Sequence, residues 1–416
     1  MANTHNRNEV VYFEDVMESF SKDSVISNNV GRTNPGSTDM QRQGDTFWRP
    51  VPYIAETVDG MDITGLYDDL KQLSVPGSLS HIKNVPWKLD AKEMRDEWYM
   101  KQQSIAAGQS LSAAVETAIA TNIAFSGSLC VKRGALSGYD DIAEAQTRMT
   151  EIGVPRHMRK FSFNARDNAK VASNLAARET INQRPDAALN ESSIGRRLAG
   201  FDVLNSDLLP RLTAATTSGA VTVNGADQVL TPASTSTAGT GEVSNVDNRW
   251  QNLVITKTTD TTFKVGDRFT IAGVNHVHLI TKEDTGQPFT LVVQSVVAQT
   301  TTAATLRVTA MIADGPYKNV TAAPADDAAI TFLNTTSTLA NVFWHQSSVE
   351  IIGGQLAVDD MGGMLVQKGT TENGITVCMF RQSNIDDLVQ KYRFSIFFGT
   401  VNLNPLMNGV LLGGQS

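Results

Sequence analysis

The most constraining feature of this chain is an abrupt change of composition between about Thr213 and Ser337. That stretch is rich in Thr, Ala, Val and Gly, and between Thr213 and Gly241 its one charged residue is Asp227. The flanking sequence instead carries helical patterns, methionines, arginines and carboxylates. Short apolar stretches separated by turn residues are typical of a small barrel or sandwich. The composition therefore predicts a β domain, here called the insert (residues 213–337), within a mixed host of helices and strands.

Length and charge bound the number of domains and the classes of partner. A chain of 416 residues exceeds one ordinary core, so about two or three domains are expected. The net charge is −8, which disfavours tight, general binding of nucleic acid because that requires clustered Lys and Arg. Loose contact with DNA on one face stays compatible with this charge.

The cysteine count and the apolar runs predict a chain made in a reducing cytoplasm. Cys130 and Cys378 are its two cysteines, too few for a disulfide framework. The first residues lack a basic region followed by an apolar run, so no signal peptide is expected. No apolar run reaches the length of a membrane span, and we expect no membrane contact.

A short amphipathic helix is predicted near the N-terminus. Val10, Phe13, Met17 and Phe20 recur at steps of three and four, which places them on one apolar stripe. The other face carries three carboxylates, Glu14, Asp15 and Glu18. They form either a solvated face or a docking strip for a basic partner.

Residues 47–87 are punctuated by prolines and glycines, which favours an extended hairpin-like excursion. A long helix is predicted to follow, from Asp90 to about Ala124, with a capping-box-like pair of Asp90 and Glu93. Its roughly 35 residues would form a rod of about 50 Å, which suits a structural spine.

The sequence offers little catalytic chemistry. It contains no phosphate-binding loop, no His-Glu-x-x-His and no Gly-x-Ser-x-Gly. His276 and His278 could share a strand face near Glu283 and Asp284 as a metal site, or they could simply be surface or barrel-lining histidines. Cys130 fits a buried structural cysteine better than a nucleophile. We therefore expect no catalytic residue, metal or cofactor.

Several stretches together resemble the major coat protein of short-tailed double-stranded DNA phages of the kind that infect Salmonella and its relatives. The similarity is collinear along the chain, and its order and spacing make it specific. The stretches are Met40–Val51, Gly60–Thr64, Leu198–Asp202, Leu209–Thr213, Asn245–Arg249, Gly266–Asp267, Ala272–Val274, Asn341–Trp344 and Arg393–Gly399.

This resemblance implies an α+β chain with the tailed-phage capsid fold of the Hong Kong 97 type and an inserted barrel-like β domain. The implied parts are an N-terminal arm (1–45), an extended hairpin loop (46–89), a peripheral domain with a spine helix (90–139), a first axial part (140–191), a peripheral or hinge segment (192–212), the insert (213–337) and a second axial part with the C-terminal segment (338–416).

The resemblance also implies partners and contact residues. The chain would assemble with itself into pentamers and hexamers, with a scaffolding protein, with a portal protein at one vertex and loosely with packaged double-stranded DNA. Glu14, Asp15 and Glu18 would bind scaffolding protein. Neighbouring capsomers would meet at the loop before the stretch Asn245–Arg249. Ser234–Gly241 in that loop carries no charge, so the remaining candidates are Glu242, Asp247 and Arg249. The extended loop would present five candidates to a neighbouring subunit: Trp48, Asp62, Asp68, Asp69 and Lys71.

The expected function is that of a major capsid protein, assembled in the bacterial cytoplasm and carried in the virion. Two other classes stay open at this point. One is a phage tail, decoration or carbohydrate-binding protein with a β barrel, and the other is a metal hydrolase that uses His276 and His278.

Overall fold

The structure is a computed structural model that describes residues 7–35, 45–52, 60–62, 64, 71–90, 92–93, 96–176, 194, 197–356, 365–384, 386 and 389–415. Its helices are α1 (Arg7–Lys22), α2 (Glu97–Ser126), α3 (Tyr139–Glu151) and α4 (Ala165–Ala176). None of these described helices is both long enough and apolar enough to cross a membrane.

The strands of the described residues are, in chain order, β1 (Gly31–Thr33), β2 (Thr46–Pro50), β3 (Ser74–Ser78), β4 (His81–Asp90), β5 (Leu129–Lys132), β6 (Arg159–Phe163), β7 (Arg197–Leu198), β8 (Phe201–Asn205), β9 (Arg211–Leu212), β10 (Thr222–Val223), β11 (Thr235–Thr237), β12 (Val243–Asn245), β13 (Trp250–Thr256), β14 (Arg268–Val277), β15 (Asp284–Gln299), β16 (Ala303–Thr309), β17 (Ile330–Phe332), β18 (Thr338–Leu339), β19 (Asn341–His345), β20 (Val349–Gly353), β21 (Leu365–Thr370), β22 (Thr376–Ser383), β23 (Val389–Asn402) and β24 (Asn408–Leu412).

The chain divides into two units, each built from separate segments. The first comprises Met1–Phe47, Gly77–Ala120 and Glu350–Val401, and the second comprises Trp48–Pro76, Thr121–Val349 and Asn402–Ser416. Consecutive elements of the chain therefore fold with partners that are distant in sequence.

The first unit is organised by a mixed sheet. Its described strands follow the order β1-β20-β23-β22-β21, and β4 also pairs with β23. The pairing of β4 runs from His81, opposite Phe398, to Asp90, opposite Val389. Residues 81–89, which the sequence analysis assigns to the extended loop, therefore lie in this sheet. Trp87, Tyr392 and Phe394 stack on one face, where Leu89 and Met100 are buried.

The second unit contains a mixed sheet with helices packed on it. The described strands follow the order β5-β24-β19-β6-β8-β7, with β5 parallel to β24 and β6 parallel to β8. The core is aromatic: the ring centroids of Phe161 and Phe163 lie 4.3 Å apart, and Phe201 and Phe343 pack against Phe161. Ile142 and Met149 of α3 are fully buried in the same core.

The insert has its own sheet and its own core. The described strands run in the order β10-β13-β16-β15-β14-β17, and their neighbouring pairings are antiparallel. Register shifts of the kind that β-bulges produce interrupt the pairing of β15 with β14 and with β16. Leu253, Phe269, Phe289, Leu291 and Leu306 are completely buried in this core. Where the insert begins and ends, β9 pairs with β18.

The long helix begins later than the sequence predicts. The Asp90 amide does donate to Glu93 Oε2 at 3.1 Å, as the capping pattern suggested. Asp90 nevertheless ends β4, and α2 starts at Glu97, with Asp96 Oδ1 accepting from the Trp98 amide. The interior of the prediction is correct, because Leu111, Val115, Ile119 and Ile123 are all buried.

A buried arginine of the insert caps the C-terminal end of α2. Arg268 is completely buried, and its guanidinium donates to the carbonyl oxygens of Ala124, Gly127 and Gly266. Gln294 donates to the carbonyl of Phe125 at 2.6 Å. The last carbonyls of a helix lack partners within it and carry partial negative charge, so a cation there is favourable. Burial lowers the pKa of Arg268 to about 10, which still leaves it protonated at neutral pH.

The same arginine is tied to the two points where the insert joins the rest of the chain. The Arg268 amide donates to Asn334 Oδ1 at 3.0 Å. The Asn334 amide group in turn donates to the Thr213 carbonyl and to Asp267 Oδ1, each at 3.0 Å. One hydrogen-bond network within the second unit therefore connects the first residue of the insert, its C-terminal segment and the C-terminal end of α2.

Replacing Arg268 with Met should strip three buried carbonyls of their donor and remove the charge at the helix end. We expect the free energy of unfolding to fall by about 2–3 kcal/mol. Urea denaturation of the whole chain measures this change. The exposed Arg307 on β16 supplies the control, since Arg307→Met should change stability by less than about 0.5 kcal/mol. An Arg268→Met variant as stable as the parent would contradict the capping role.

Candidate interaction surfaces

The N-terminal helix α1 presents two of its three predicted acidic residues to solvent. Glu14 and Glu18 are exposed, whereas Asp15 is half-buried. The Oδ2 atom of Asp15 is buried and has no hydrogen-bond partner among the described residues. Glu18 pairs with Lys22 at 2.6 Å, and this hydrogen-bonded lysine holds the pKa of Glu18 below its usual value. The structure thus keeps all three carboxylates on one short helix, with Glu18 partly neutralised.

The opposite face of α1 is held against α2 by a close approach at a glycine. A Cβ atom at Gly108 would lie 2.7 Å from the Val16 carbonyl oxygen and 2.8 Å from Ser19 Cβ. Ser19 Oγ donates to the Ile105 carbonyl at 3.1 Å. Phe20, which the periodicity places on the apolar stripe, is completely buried, and so is Val16, which the stripe did not include.

A buried carboxylate fixes the segment that follows α1. Glu116 of α2 is 2% exposed, and its two oxygens accept from the backbone amides of Ile26 at 2.7 Å and Ser27 at 2.8 Å. These amides open the 3-10 turn Ser27–Asn29, where a negative charge is favourable. The sequence analysis missed Glu116, although it is the one charged residue between Gln102 and Ser126. A lone charge in an apolar helix was the available signal.

Of the five contact residues predicted for the extended loop, the structure describes three: Trp48, Asp62 and Lys71. Trp48 lies half-buried on β2, which pairs with β3 at the base of the loop. Asp62 is exposed, and hydrogen bonds from the Thr64 hydroxyl and amide lower its pKa. Lys71 is exposed, and its carbonyl accepts from the Tyr317 hydroxyl at 2.9 Å. Asp68 and Asp69 lie outside the described residues.

The three residues predicted to contact neighbouring capsomers separate into two groups. Arg249 binds Asp247 through two hydrogen bonds of 2.8 and 2.9 Å, and both side chains are about 15% exposed. Arg249 also donates to the carbonyls of Asn402 and Pro76. Asp247 and Arg249 are therefore engaged within the second unit, where they join the insert to the base of β3 and to the end of β23. Glu242 lies apart from them and is exposed between β11 and β12.

The two histidines considered as metal ligands, His276 and His278, accept hydrogen bonds from backbone amides at their ring nitrogens. His276 is buried, its ring centroid lies 4.5 Å from that of Phe289, and its Nε2 accepts from the Thr290 amide. His278 Nδ1 accepts from the amides of Ile280 and Thr281. Among the described residues, no group of three His, Cys, Asp or Glu side chains is arranged to hold a metal ion. Cys130 is buried, and burial raises the pKa of its thiol.

Comparison with known proteins identifies a family match along nearly the whole chain. Residues 1–414 match the family model described as P22 coat protein, gene protein 5. Similar solved structures include one from Mycobacterium phage Che8, with 12% identity over 93% of this chain and 90% of that chain and a TM-score of 0.45. A virus-like particle from Pyrococcus furiosus matches with 9% identity over 96% of each chain and a TM-score of 0.40. The CUS-3 coat protein I-domain is 35% identical over 28% of this chain and 98% of its own length, with a TM-score of 0.22.

The buried His276 should make the folded chain sensitive to acid. Burial, with a smaller contribution from Arg148, lowers the pKa of His276 to about 3. The same histidine in the unfolded chain has the ordinary pKa of about 6.5. Between these two pKa values the unfolded chain binds one more proton than the folded chain. The contribution of His276 to the free energy of unfolding is therefore fully present above pH ~6.5 and is lost progressively as the pH falls toward ~3. The loss amounts to about 1.4 kcal/mol per pH unit.

We expect His276→Gln to remove this slope from a plot of unfolding free energy between pH 6 and pH 4. The exposed His157 provides the control, and His157→Gln should keep the parent slope. A parent-like slope in His276→Gln would contradict the assignment.

Proposed function

We propose that this chain, which belongs to the P22 coat protein family, assembles into the pentamers and hexamers of an icosahedral phage head. As a member of that family it is a phage major capsid protein, a structural component of the virion and not an enzyme. The sequence-based predictions of a coat protein and of a capsid fold with mixed helices and strands are confirmed by this match. The observation that carries the proposal is its extent, residues 1–414.

Assembly of a closed shell favours contacts that are individually weak. A contact of about 4 kcal/mol corresponds to a dissociation constant near 1 mM. Closure of a multivalent shell makes such contacts collectively stable, while misplaced subunits can still leave. Maturation would then be a rigid-body rearrangement in which the arm and the extended loop repack.

We propose three partners, of which the charged surface of α1 and the net charge of the chain support two. A scaffolding protein with a basic docking segment would bind the acidic face of α1, where Glu14 and Glu18 are exposed one turn apart. A portal protein would replace one ring of subunits at a single vertex. Packaged DNA would touch the inner surface loosely, since a net charge of −8 opposes tight binding of phosphates.

An assembly experiment that looks for closed shells tests this function directly. The chain is expressed with and without its scaffolding protein, and the products are separated on sucrose gradients and imaged by negative-stain electron microscopy. We expect uniform closed shells in the presence of scaffolding protein. Monomers or small rings under both conditions would overturn the proposal.

Scaffold docking on α1 has its own test. Substitution of Glu14, Asp15 and Glu18 together by Ala should abolish co-sedimentation of scaffolding protein at low salt, and raised salt should weaken the parent interaction because screening shortens the reach of exposed charges. A control with the same change of charge replaces three exposed aspartates elsewhere: Asp260, Asp314 and Asp386. Unchanged co-sedimentation in the α1 variant, or equal loss in the control, would refute docking at this face.

A further inference from the structure

A cavity of about 120 Å³ lies where three parts of the second unit meet. One wall comes from residues 51–75, at the base of the extended loop, and includes the buried Leu73 and Val75. The insert supplies a second wall, with the buried Ile312, and the C-terminal segment supplies a third, with the half-buried Leu406. Protein interiors contain few voids larger than a water molecule, so a cavity of this size is unusual. We call it the three-walled cavity.

Hydrogen bonds hold the walls of the three-walled cavity in place. The hydroxyl of Tyr317, on the insert, donates to the Lys71 carbonyl at 2.9 Å. Arg249 donates to the carbonyls of Pro76 and Asn402, which ties the insert to the other two walls. Small-molecule sites are usually formed before their ligand arrives, because walls that are already fixed lose little freedom on binding. These bonds therefore favour binding.

The buried amide side chains in the lining already have hydrogen-bond partners within the chain. Asn319 accepts from the Ile312 amide at 2.7 Å and donates to the Ala310 carbonyl at 2.9 Å. Asn248 accepts from the Ala233 amide at 3.0 Å and donates to the carbonyl of the same residue at 2.9 Å. Among the described lining residues, none has a buried polar side-chain atom that lacks a partner. The side chains of the lining therefore offer a ligand apolar contact and no buried donor or acceptor that needs one.

We propose that the three-walled cavity binds one small apolar ligand, a hydrocarbon of single-ring size. An apolar cavity of about 150 Å³ lined by Leu, Ile and Phe stays dry and binds benzene, and this cavity is similar in size. A hydroxyl on the same ring would lose its hydrogen bonds to water and meet lining side chains that are already paired, so the cavity selects against phenol. A bound ligand would touch all three walls and hold residues 71–75 against the insert. The inference does not depend on the proposed function.

Binding of benzene to the full-length chain tests this site. Bound benzene is measured from its partition between the protein solution and the gas above it, and bound phenol is measured by equilibrium dialysis. Two variants fill the cavity, Val75→Phe from a buried position and Val51→Phe from a half-buried one. Val297→Phe makes the same change at an exposed position of β15 and is the control. Urea denaturation establishes that each variant is folded.

We expect saturable binding of about one benzene per chain. Phenol should bind roughly tenfold more weakly, because its hydroxyl is buried without a partner. The filled variants should lose benzene binding, whereas Val297→Phe should keep it. In hydrogen exchange followed by mass spectrometry, benzene should slow exchange in peptides that cover residues 71–76 and 403–406, and leave α3 unchanged.

Four results would each overturn the site. They are no saturable benzene binding, equal affinity for benzene and phenol, unchanged binding in a folded filled variant, and exchange slowed equally in α3 and at the walls of the cavity. Three of these four results come from the parent chain alone, so they can refute the site even where a filled variant does not fold. Each of them would leave the proposed coat function intact.

Discussion

The arrangement of the second unit depends on the hydrogen bonds that the buried guanidinium of Arg268 donates to the C-terminal end of α2. A helix that ends in the protein interior leaves carbonyl groups that water cannot reach, and Arg268 and Gln294 satisfy those of Ala124, Phe125 and Gly127. Because Asp267 and Asn334 bind each other beside Arg268, the donor is rigidly aimed. The β domain leaves and re-enters the chain at β9 and β18, and these hydrogen bonds attach it in addition to the C-terminal end of α2.

Local sequence patterns predicted the interiors of elements better than their ends. The apolar spacing of α2 identified its buried face because that spacing follows directly from helix geometry. The start was misplaced by the pair of Asp90 and Glu93, which does form a hydrogen bond but at the end of a strand. What makes His81–Asp90 a strand is pairing with β23, about 300 residues further along the chain, and no local pattern reports that partner.

Sequence patterns likewise predicted some features of the interaction surfaces and missed others. The acidic face of α1 could be predicted because charge and apolar residues alternate at helical spacing, and Glu14 and Glu18 are indeed exposed. Asp247 and Arg249 could be picked out as charges in a neutral region, but their acceptors at Asn402 and Pro76 are remote in sequence. Arg268 gave no signal, since a single arginine after a turn is ordinary until its burial is known. The family match then supplies what local chemistry could not, namely the class of assembly.

The most direct test of coat-protein assembly is a cryo-electron microscopy reconstruction of the particles that this chain forms with its scaffolding protein. We expect closed shells of five- and six-copy rings in which the acidic face of α1 contacts the scaffolding protein. Open filaments, or closed shells in which the acidic face of α1 contacts no scaffolding protein, would contradict the proposed assembly and its docking surface.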